Sequence, residues 1–141
     1  MNKRARRERI NSLKDEIRTI VFYEAPHKLV YTLKDLHEVL GNRRITLARE
    51  LTKKYEEVLR CTLEEAVERY ESESPRGEYV LVVEGADENQ MIEDKKSEWD
   101  AMSILEHYQM YIAEGLSKKE AMKKVAQDRG MSKRDVYNAL I

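Results

Sequence analysis

The chain has 141 residues, with 26 Lys and Arg, 27 Asp and Glu, and a formal net charge of -1 at pH 7. This length suits one ordinary domain or a small domain with an appendage, and the charge balance excludes a globally polybasic protein. A single cysteine excludes an intramolecular disulfide, and no apolar run is long enough to cross a bilayer. We therefore expect a cytoplasmic chain with no membrane role.

The first elements are a basic helix, a strand and a second helix. Residues 1–18 carry seven basic side chains against three acidic ones, with apolar residues at helical spacing. Residues 19–23 are β-branched and aromatic, which predicts a strand that stops at Glu24. A helix is predicted over residues 27–40, since Pro26 suits a helix start and a glycine follows the last leucine.

Three more strands and a helix are predicted before residue 85. Apolar and polar residues alternate over 44–49 and 57–62, which is typical of half-buried strands. Thr62 and Glu65 have the spacing of a capping box and predict a helix after them. The continuous apolar run at 79–84 is typical of a strand covered on both faces, which should be central in its sheet.

These elements predict an α/β fold over residues 1–85, with a mixed sheet of about four or five strands and flanking helices. The acidic segment 86–98 is expected to be a linker. Residues 99–141 have a wholly helical pattern, in which Gly130 separates two short capped helices. This arrangement indicates a small extension that resembles a helix-turn-helix.

The abrupt end of the first predicted strand has two interpretations. Tyr23 and Glu24 could open into a ligand cleft, because ligands of α/β sheets bind at the carboxyl ends of strands. Alternatively, Ala25 and Pro26 form an ordinary strand-to-helix connection. The same choice applies to Arg49, Glu50 and Thr52 after a later strand, which could line a site or belong to a solvated charged loop.

The helical extension also has two interpretations. Lys133 and Arg134 are expected to face outward on its last helix, where they would suit phosphate contacts of a nucleic acid. Small helical bundles use the same caps for stability alone. The sequence has no GxGxxG, P-loop or HExxH motif, and its three histidines are scattered. No metal site is expected, and the chain by itself does not have the motifs of a complete enzyme.

Several segments together resemble the second half of RNA-modifying members of the tetrapyrrole (corrin/porphyrin) methylase family. They are FYEAPH, ARELTKKYEE, TLEEA and GEYVLVVEG, in the family's order and spacing, preceded by the basic segment KRARRERINSLKDE. The resemblance implies an S-adenosylmethionine-dependent 2'-O-methylation of a cytidine ribose in 16S ribosomal RNA of the small ribosomal subunit. It also implies that the Gly-rich cofactor domain has no counterpart here, so the chain should be inactive alone, and that the full-length form is a homodimer.

The resemblance further implies roles for individual residues. Glu24 is expected to be catalytic by polarising or positioning the ribose hydroxyl. The remaining cofactor-cleft residues are expected at three strand ends, and RNA contacts on the first helix, after a later strand and on the last helix. The cofactor set is Tyr23, Glu50, Leu51, Thr52, Val82, Val83 and Glu84, and the RNA set is Arg4, Arg6, Arg7, Arg49, Lys133 and Arg134.

Two rival functions remain open at this point. One is a related methyltransferase that acts on a tetrapyrrole ring, against which the basic first helix and the basic tail argue mildly. The other is a nucleic-acid-binding module without catalysis, in which the α/β part is only a scaffold. RNA binding without cofactor affinity would favour the second rival.

Overall fold

The computed structural model describes residues 2–141 and divides the chain into two compact units, one ending at Asp87 and one spanning Glu88–Ile141. The first unit contains α1 Lys3–Ser12, β1 Ile20–Glu24, α2 Leu29–Leu40, β2 Arg44–Arg49, β3 Glu57–Thr62, α3 Leu63–Ser72 and β4 Tyr79–Val83. The second contains α4 Glu88–Ala101, α5 Ile104–Ala113, α6 Lys118–Arg129 and α7 Lys133–Leu140. Across residues 2–141, no helix combines the length and apolar character needed to cross a membrane.

The first unit is built on one four-stranded sheet with the order β1-β4-β2-β3. The α/β class is confirmed, and so is the central position of the apolar strand β4. Every strand pair is antiparallel, which differs from the predicted mixed sheet. The reason is that β1 and β2 run in the same direction but are separated by β4, which runs the opposite way, so no parallel pair forms.

The two faces of this sheet have different environments. Alternate strand residues such as Ile45, Leu47 and Leu81 are buried in one core with side chains of the helices. From the helices, this core receives Ile10 of α1, Leu29, Leu33, Leu36 and Leu40 of α2, and Leu63 and Ala66 of α3. Strand residues whose side chains point to the opposite face, such as Val21 and Tyr23 on β1, are exposed. The helices therefore cover one face, and the other face is open at the β1 edge.

The capping predictions agree with the helix boundaries at most ends. The Thr62 hydroxyl accepts a hydrogen bond from the Glu65 amide at the start of α3. At the other predicted start, Pro26 opens a short 3-10 helix, Pro26–Lys28, and α2 proper begins at Leu29. Gly41 ends α2 with a φ of 82°, a backbone conformation that favours glycine.

The second unit is a bundle with its own small core of Tyr111, Ala121, Val125, Ala126 and Val136. The predicted acidic linker is largely helical, because α4 begins at Glu88. The helical pattern predicted from residue 99 onward is interrupted at Ser103. There Ser103 and Glu106 form a reciprocal capping box that starts a new helix, α5.

A buried polar network also supports this bundle. The His107 side chain is fully buried, and its Nε2 lies 3.0 Å from Oδ2 of Asp128. Arg129 donates from Nε to Nδ1 of His107 at 3.0 Å and from Nη2 to the carbonyl oxygen of Trp99 at 2.6 Å. Trp99 stacks on the His107 ring. The network ties α4, α5 and α6 together.

Candidate functional site

The antiparallel register brings three strand ends together at one edge of the sheet. Tyr79 at the start of β4 pairs with Glu24 at the end of β1 and with Arg49 at the end of β2. A cleft of about 510 Å³ lies at this edge, within the size range of small-molecule sites. Its walls come from all three strand ends and the loops beside them: Tyr23, Glu24, Ala25, Glu50, Leu51, Lys53, Glu78, Tyr79 and Val80.

The Glu24 carboxylate is held in place from two sides. Its Oε2 accepts a hydrogen bond of 2.6 Å from the hydroxyl of Thr32, a buried residue of α2. Its Oε1 accepts one of 3.0 Å from the backbone amide of Ala25. A carboxylate oxygen can accept two hydrogen bonds, and within residues 2–141 each Glu24 oxygen accepts one. Glu24 is therefore an oriented acceptor in the wall of the cleft.

Tyr23 and Leu51 give the cleft an apolar surface. The Tyr23 side chain is 82 % exposed and stands on the open face of the sheet, while Leu51 is exposed on the loop after β2. Both line the cleft beside Glu24. Thr52 is adjacent to Leu51 in sequence but is not in the wall.

The loop after β2 is fixed by Glu50, whose carboxylate is used within the protein. The Glu50 amide donates to the Glu78 carbonyl oxygen at 2.9 Å, and the Glu78 amide donates to Oε1 of Glu50 at 2.8 Å. The hydrogen bond from the Glu78 amide, followed by that from Lys53, lowers the pKa of Glu50. Glu50 thus shapes the cleft by anchoring its loop, and this differs from a carboxylate directed at a ligand.

Backbone strain is concentrated in the same loop. Glu50 and Thr52 have positive φ angles of 49° and 66°, which is uncommon for residues other than glycine. Gly77 faces this loop with a φ of 76°, and a Cβ added there would collide with Oε1 of Glu50. Non-glycine residues held in such conformations are frequent at ligand sites. The strained backbone at Glu50 and Thr52 is therefore consistent with a ligand site on this side of the cleft.

The predicted third wall of the cleft lies elsewhere. Val82 and Val83 are at the end of β4, where Val83 pairs with Ile20 and Ile45 at the far ends of β1 and β2. Glu84 follows them and accepts from the Arg44 amide through its carboxylate. Because β4 runs antiparallel to both neighbours, its start, not its end, meets Glu24. Tyr79 and Val80 occupy the place in which Val82, Val83 and Glu84 were expected.

Two of the arginines predicted to meet RNA are engaged inside the first unit. Arg6 donates from Nε to Asp35 at 2.6 Å, and Arg7 donates from Nη1 to the same carboxylate at 2.9 Å. The side chains of Arg6 and Asp35 are only 13 % and 7 % exposed. A buried carboxylate needs such partners, so Arg6 connects α1 to α2 instead of presenting a free charge to solvent. Arg6 therefore has a role inside the first unit, and its contact with RNA stays a prediction.

The other predicted RNA residues differ in their surroundings. Arg4 is almost fully exposed and pairs with Glu8 one turn along α1. Arg49 pairs with Glu57 at 3.3 Å, and its buried Nε has no hydrogen-bond partner within residues 2–141. Lys133 and Arg134 are exposed on α7, in the second unit. Arg7 pairs with Glu38 as well as Asp35, and the first of these contributes most to its raised pKa.

Sequence reasoning missed several residues in the wall of the cleft, and also Thr32, which hydrogen-bonds to Glu24 without lining the cleft. Thr32 could have been found, because it is a polar residue on the apolar face of the predicted helix 27–40 and is therefore expected to be buried. Lys53, Glu78 and Tyr79 carry no comparable signal, since their positions depend on the antiparallel register. In the described part of the chain, residues 2–141, no cluster of three or more His, Cys, Asp or Glu side chains could hold a metal ion.

The sequence is similar to three curated proteins named ribosomal RNA small subunit methyltransferase I. The identity is 46 % with the protein of Halalkalibacterium halodurans, over 96 % of this chain and 46 % of that protein. The corresponding values are 43 %, 97 % and 47 % for Bacillus subtilis, and 37 %, 95 % and 47 % for a Synechocystis strain. The resemblance to the ribosomal RNA small subunit methyltransferase I family is confirmed.

This chain spans about half the length of the curated relatives that it matches. No family model matches the sequence. The matches to the first two relatives cover 96 % and 97 % of this chain. They therefore include both of its compact units. The similarity therefore extends beyond the cleft to the helical extension.

Proposed function

We propose that this chain forms the carboxyl-terminal half of a cytoplasmic enzyme that transfers a methyl group from S-adenosylmethionine to the ribose 2'-oxygen of a cytidine in 16S ribosomal RNA. The observation that carries the proposal is the cleft at the ends of β1 and β2, in which Glu24 is oriented by Thr32 and Ala25. The names of the relatives support RNA over a tetrapyrrole ring as the substrate.

The residues of the cleft fit the chemistry of this cofactor. Tyr23 and Leu51 offer aromatic and aliphatic surface for an adenine ring, and Glu78 offers a carboxylate for a cationic group. The cleft is at the edge of the unit, where a second domain could complete it. We assign the cofactor to this cleft, where it would contact Tyr23, Leu51 and the strained loop that Glu50 anchors, with Thr52 supporting that loop.

The proposed role of Glu24 is to accept a proton. When bound, S-adenosylmethionine would supply a methyl group from its sulfonium sulfur, which would be left as a neutral thioether once the methyl carbon had bonded to the ribose oxygen. The hydroxyl must lose its proton as this bond forms, and a free acceptor position of Glu24 can take it. Thr32 and the Ala25 amide keep the carboxylate aimed while this occurs.

RNA contacts are proposed for basic residues in both units. Arg4 on α1, Arg49 beside the cleft, and Lys133 and Arg134 on α7 would neutralise phosphates. Arg7 is half-buried, so it would contribute only through the face of its guanidinium that Asp35 and Glu38 leave open. The 141-residue chain alone is expected to be inactive, and the complete enzyme is expected to be a homodimer.

The proposal can be tested by restoring the other half. The chain is fused to the amino-terminal half of the Bacillus subtilis relative and incubated with labelled cofactor and small ribosomal subunits that lack the modification. We expect incorporation by the fusion and none by the chain alone, with 2'-O-methylcytidine as the product in nucleoside mass spectrometry.

Variants of the fusion test the role of Glu24. Glu24→Gln keeps the shape of the side chain but weakens it as a proton acceptor, so the rate should fall about 10²-fold or more. Lys34→Ala serves as a control and should leave the rate unchanged. Lys34 is an exposed residue of α2 that pairs with Glu71 of α3. A fusion that binds cofactor and RNA but transfers no methyl group would contradict the proposal.

A further inference from the structure

A second cavity lies on the other side of Glu24. It has a volume of about 180 Å³ and is formed by α1, β1 and the start of α2. Two of its wall residues, Tyr23 and Glu24, also belong to the larger cleft. The full wall consists of three basic side chains and five others: Arg6, Arg9, Lys28, Ile10, Phe22, Tyr23, Glu24 and Thr32.

The charges around this cavity favour an anion. Arg6, Arg9 and Lys28 line it, and Glu24 is the single acidic residue in its wall. The Glu24 oxygens already accept hydrogen bonds from Thr32 and the Ala25 amide. Arg6 is balanced by Asp35, whereas the exposed Arg9 has no acidic partner within residues 2–141. The guanidinium of Arg9 is therefore available to a ligand.

The size of the cavity limits what it can hold. Sites for complete small molecules are usually about 300–1,000 Å³, so 180 Å³ suits one compact group better than a whole nucleotide. Guanidinium groups bind phosphate oxygens with two parallel hydrogen bonds, and a lysine adds a mobile positive charge. A tetrahedral phosphate is the compact anion that matches this lining.

We propose that this cavity binds a phosphodiester of the RNA, at the nucleotide whose ribose meets Glu24. The inference rests on the proposed function, because it takes the ligand in the cleft to be a ribose in an RNA chain. The 2'-hydroxyl and the 3'-phosphate of a nucleotide are attached to neighbouring ribose carbons. A nucleotide with its 2'-hydroxyl at Glu24 would thus place its 3'-phosphate in the adjoining cavity. There Arg9 and Lys28 would position the RNA.

Binding of a fluorescently labelled single-stranded RNA dodecamer to the 141-residue chain tests the site, with anisotropy measured over a series of salt concentrations. Arg9→Ala should weaken binding about tenfold, as expected for loss of a charge-assisted hydrogen bond. It should also reduce the slope of log Kd against log salt by about 0.7, the value for one phosphate contact on a single strand. Lys28→Ala should act in the same direction.

Two further variants separate a local site from a general effect of charge. Lys34→Ala removes the same unit of charge from α2 outside the cavity and should change the affinity less than twofold, since exposed charges act weakly at a distance. Arg9→Lys keeps the charge and should recover part of the affinity. Thermal unfolding of each variant shows whether the fold is intact, which is expected because Arg9 is exposed.

Each outcome bears on the inference separately from the proposed function. Equal losses for Arg9→Ala and Lys34→Ala, or no RNA binding by the unmodified chain, would overturn the cavity as a phosphate site. Either result leaves methyl transfer by the fused enzyme to be judged by its own assay. Selective loss at Arg9, together with a fusion that transfers no methyl group, would support a phosphate site in a protein whose proposed reaction is wrong.

Discussion

The buried carboxylate of Asp35 offers the sharpest test of how α1 is attached to the first unit. Asp35→Asn keeps the shape of the side chain but removes the charge that balances Arg6, whose side chain is 13 % exposed. Breaking a buried ion pair by removing one partner costs about 3–5 kcal/mol. We expect about 3 kcal/mol, because asparagine retains an oxygen that accepts one of the two hydrogen bonds now made at 2.6 and 2.9 Å.

This loss should be visible as a change in thermal unfolding. In a domain of 60–100 residues, 1 kcal/mol shifts Tm by about 4–8 °C, so the transition of the unit ending at Asp87 should fall by more than about 10 °C. Differential scanning calorimetry can follow that transition beside the one from the helical unit. Glu38→Gln is the control, because it removes the exposed partner of Arg7 and should barely change Tm. Similar shifts for the two variants would refute the reasoning.

Three further predictions concern the cleft and its supports. Thr32→Val should lower kcat of the fused enzyme with little change in KM for cofactor, while Thr32→Ser should keep the rate, because Thr32 orients Glu24 through its hydroxyl and not through its methyl group; equal losses in both would contradict this. Gly77→Ala should destabilise the first unit by at least about 1 kcal/mol in urea unfolding, since its φ is 76°. The same substitution should cost less in a Glu50→Ala background, where the added Cβ no longer collides with the Glu50 carboxylate. Arg18 lowers the pKa of Glu16 to about 2, so the stabilisation from this pair is present above the unfolded pKa near 4.5 and is lost as pH falls from about 4.5 to 2; Glu16→Gln should flatten acid unfolding in that window.

The elements of the first unit were predictable because each has a strong local signal. Strand β1 ends where Glu24 and Pro26 interrupt its β-branched run, and Thr62 begins α3 through its own side chain. The central position of β4 was also predicted from its continuous apolar run, and β4 lies between β1 and β2 in the sheet. These signals depend on residues close in sequence, so no tertiary information was needed.

The membership of the cleft was only partly predictable, for a reason of topology. Tyr23 and Glu24 end β1, Glu50 and Leu51 follow β2, and all four residues line the cleft. Whether the start or the end of β4 joins them depends on its direction, which alternation of side chains does not encode. Val82 and Val83 therefore lie at the opposite end of the sheet. Likewise, charge alone did not show that Arg6 is paired with Asp35, because they are 29 residues apart.

The two proposed subsites share a wall, and this determines how their effects can be separated. Glu24 and Tyr23 line both the 510 Å³ cleft and the 180 Å³ cavity, so a change at either residue should disturb cofactor and RNA together. Leu51 lines only the cleft, and Arg9 lines only the cavity. If Glu24 accepts the ribose proton between a cofactor in the cleft and a phosphate in the cavity, Leu51→Ala should affect cofactor binding and Arg9→Ala should affect RNA binding. Their combined effect should be additive, since they share no direct contact.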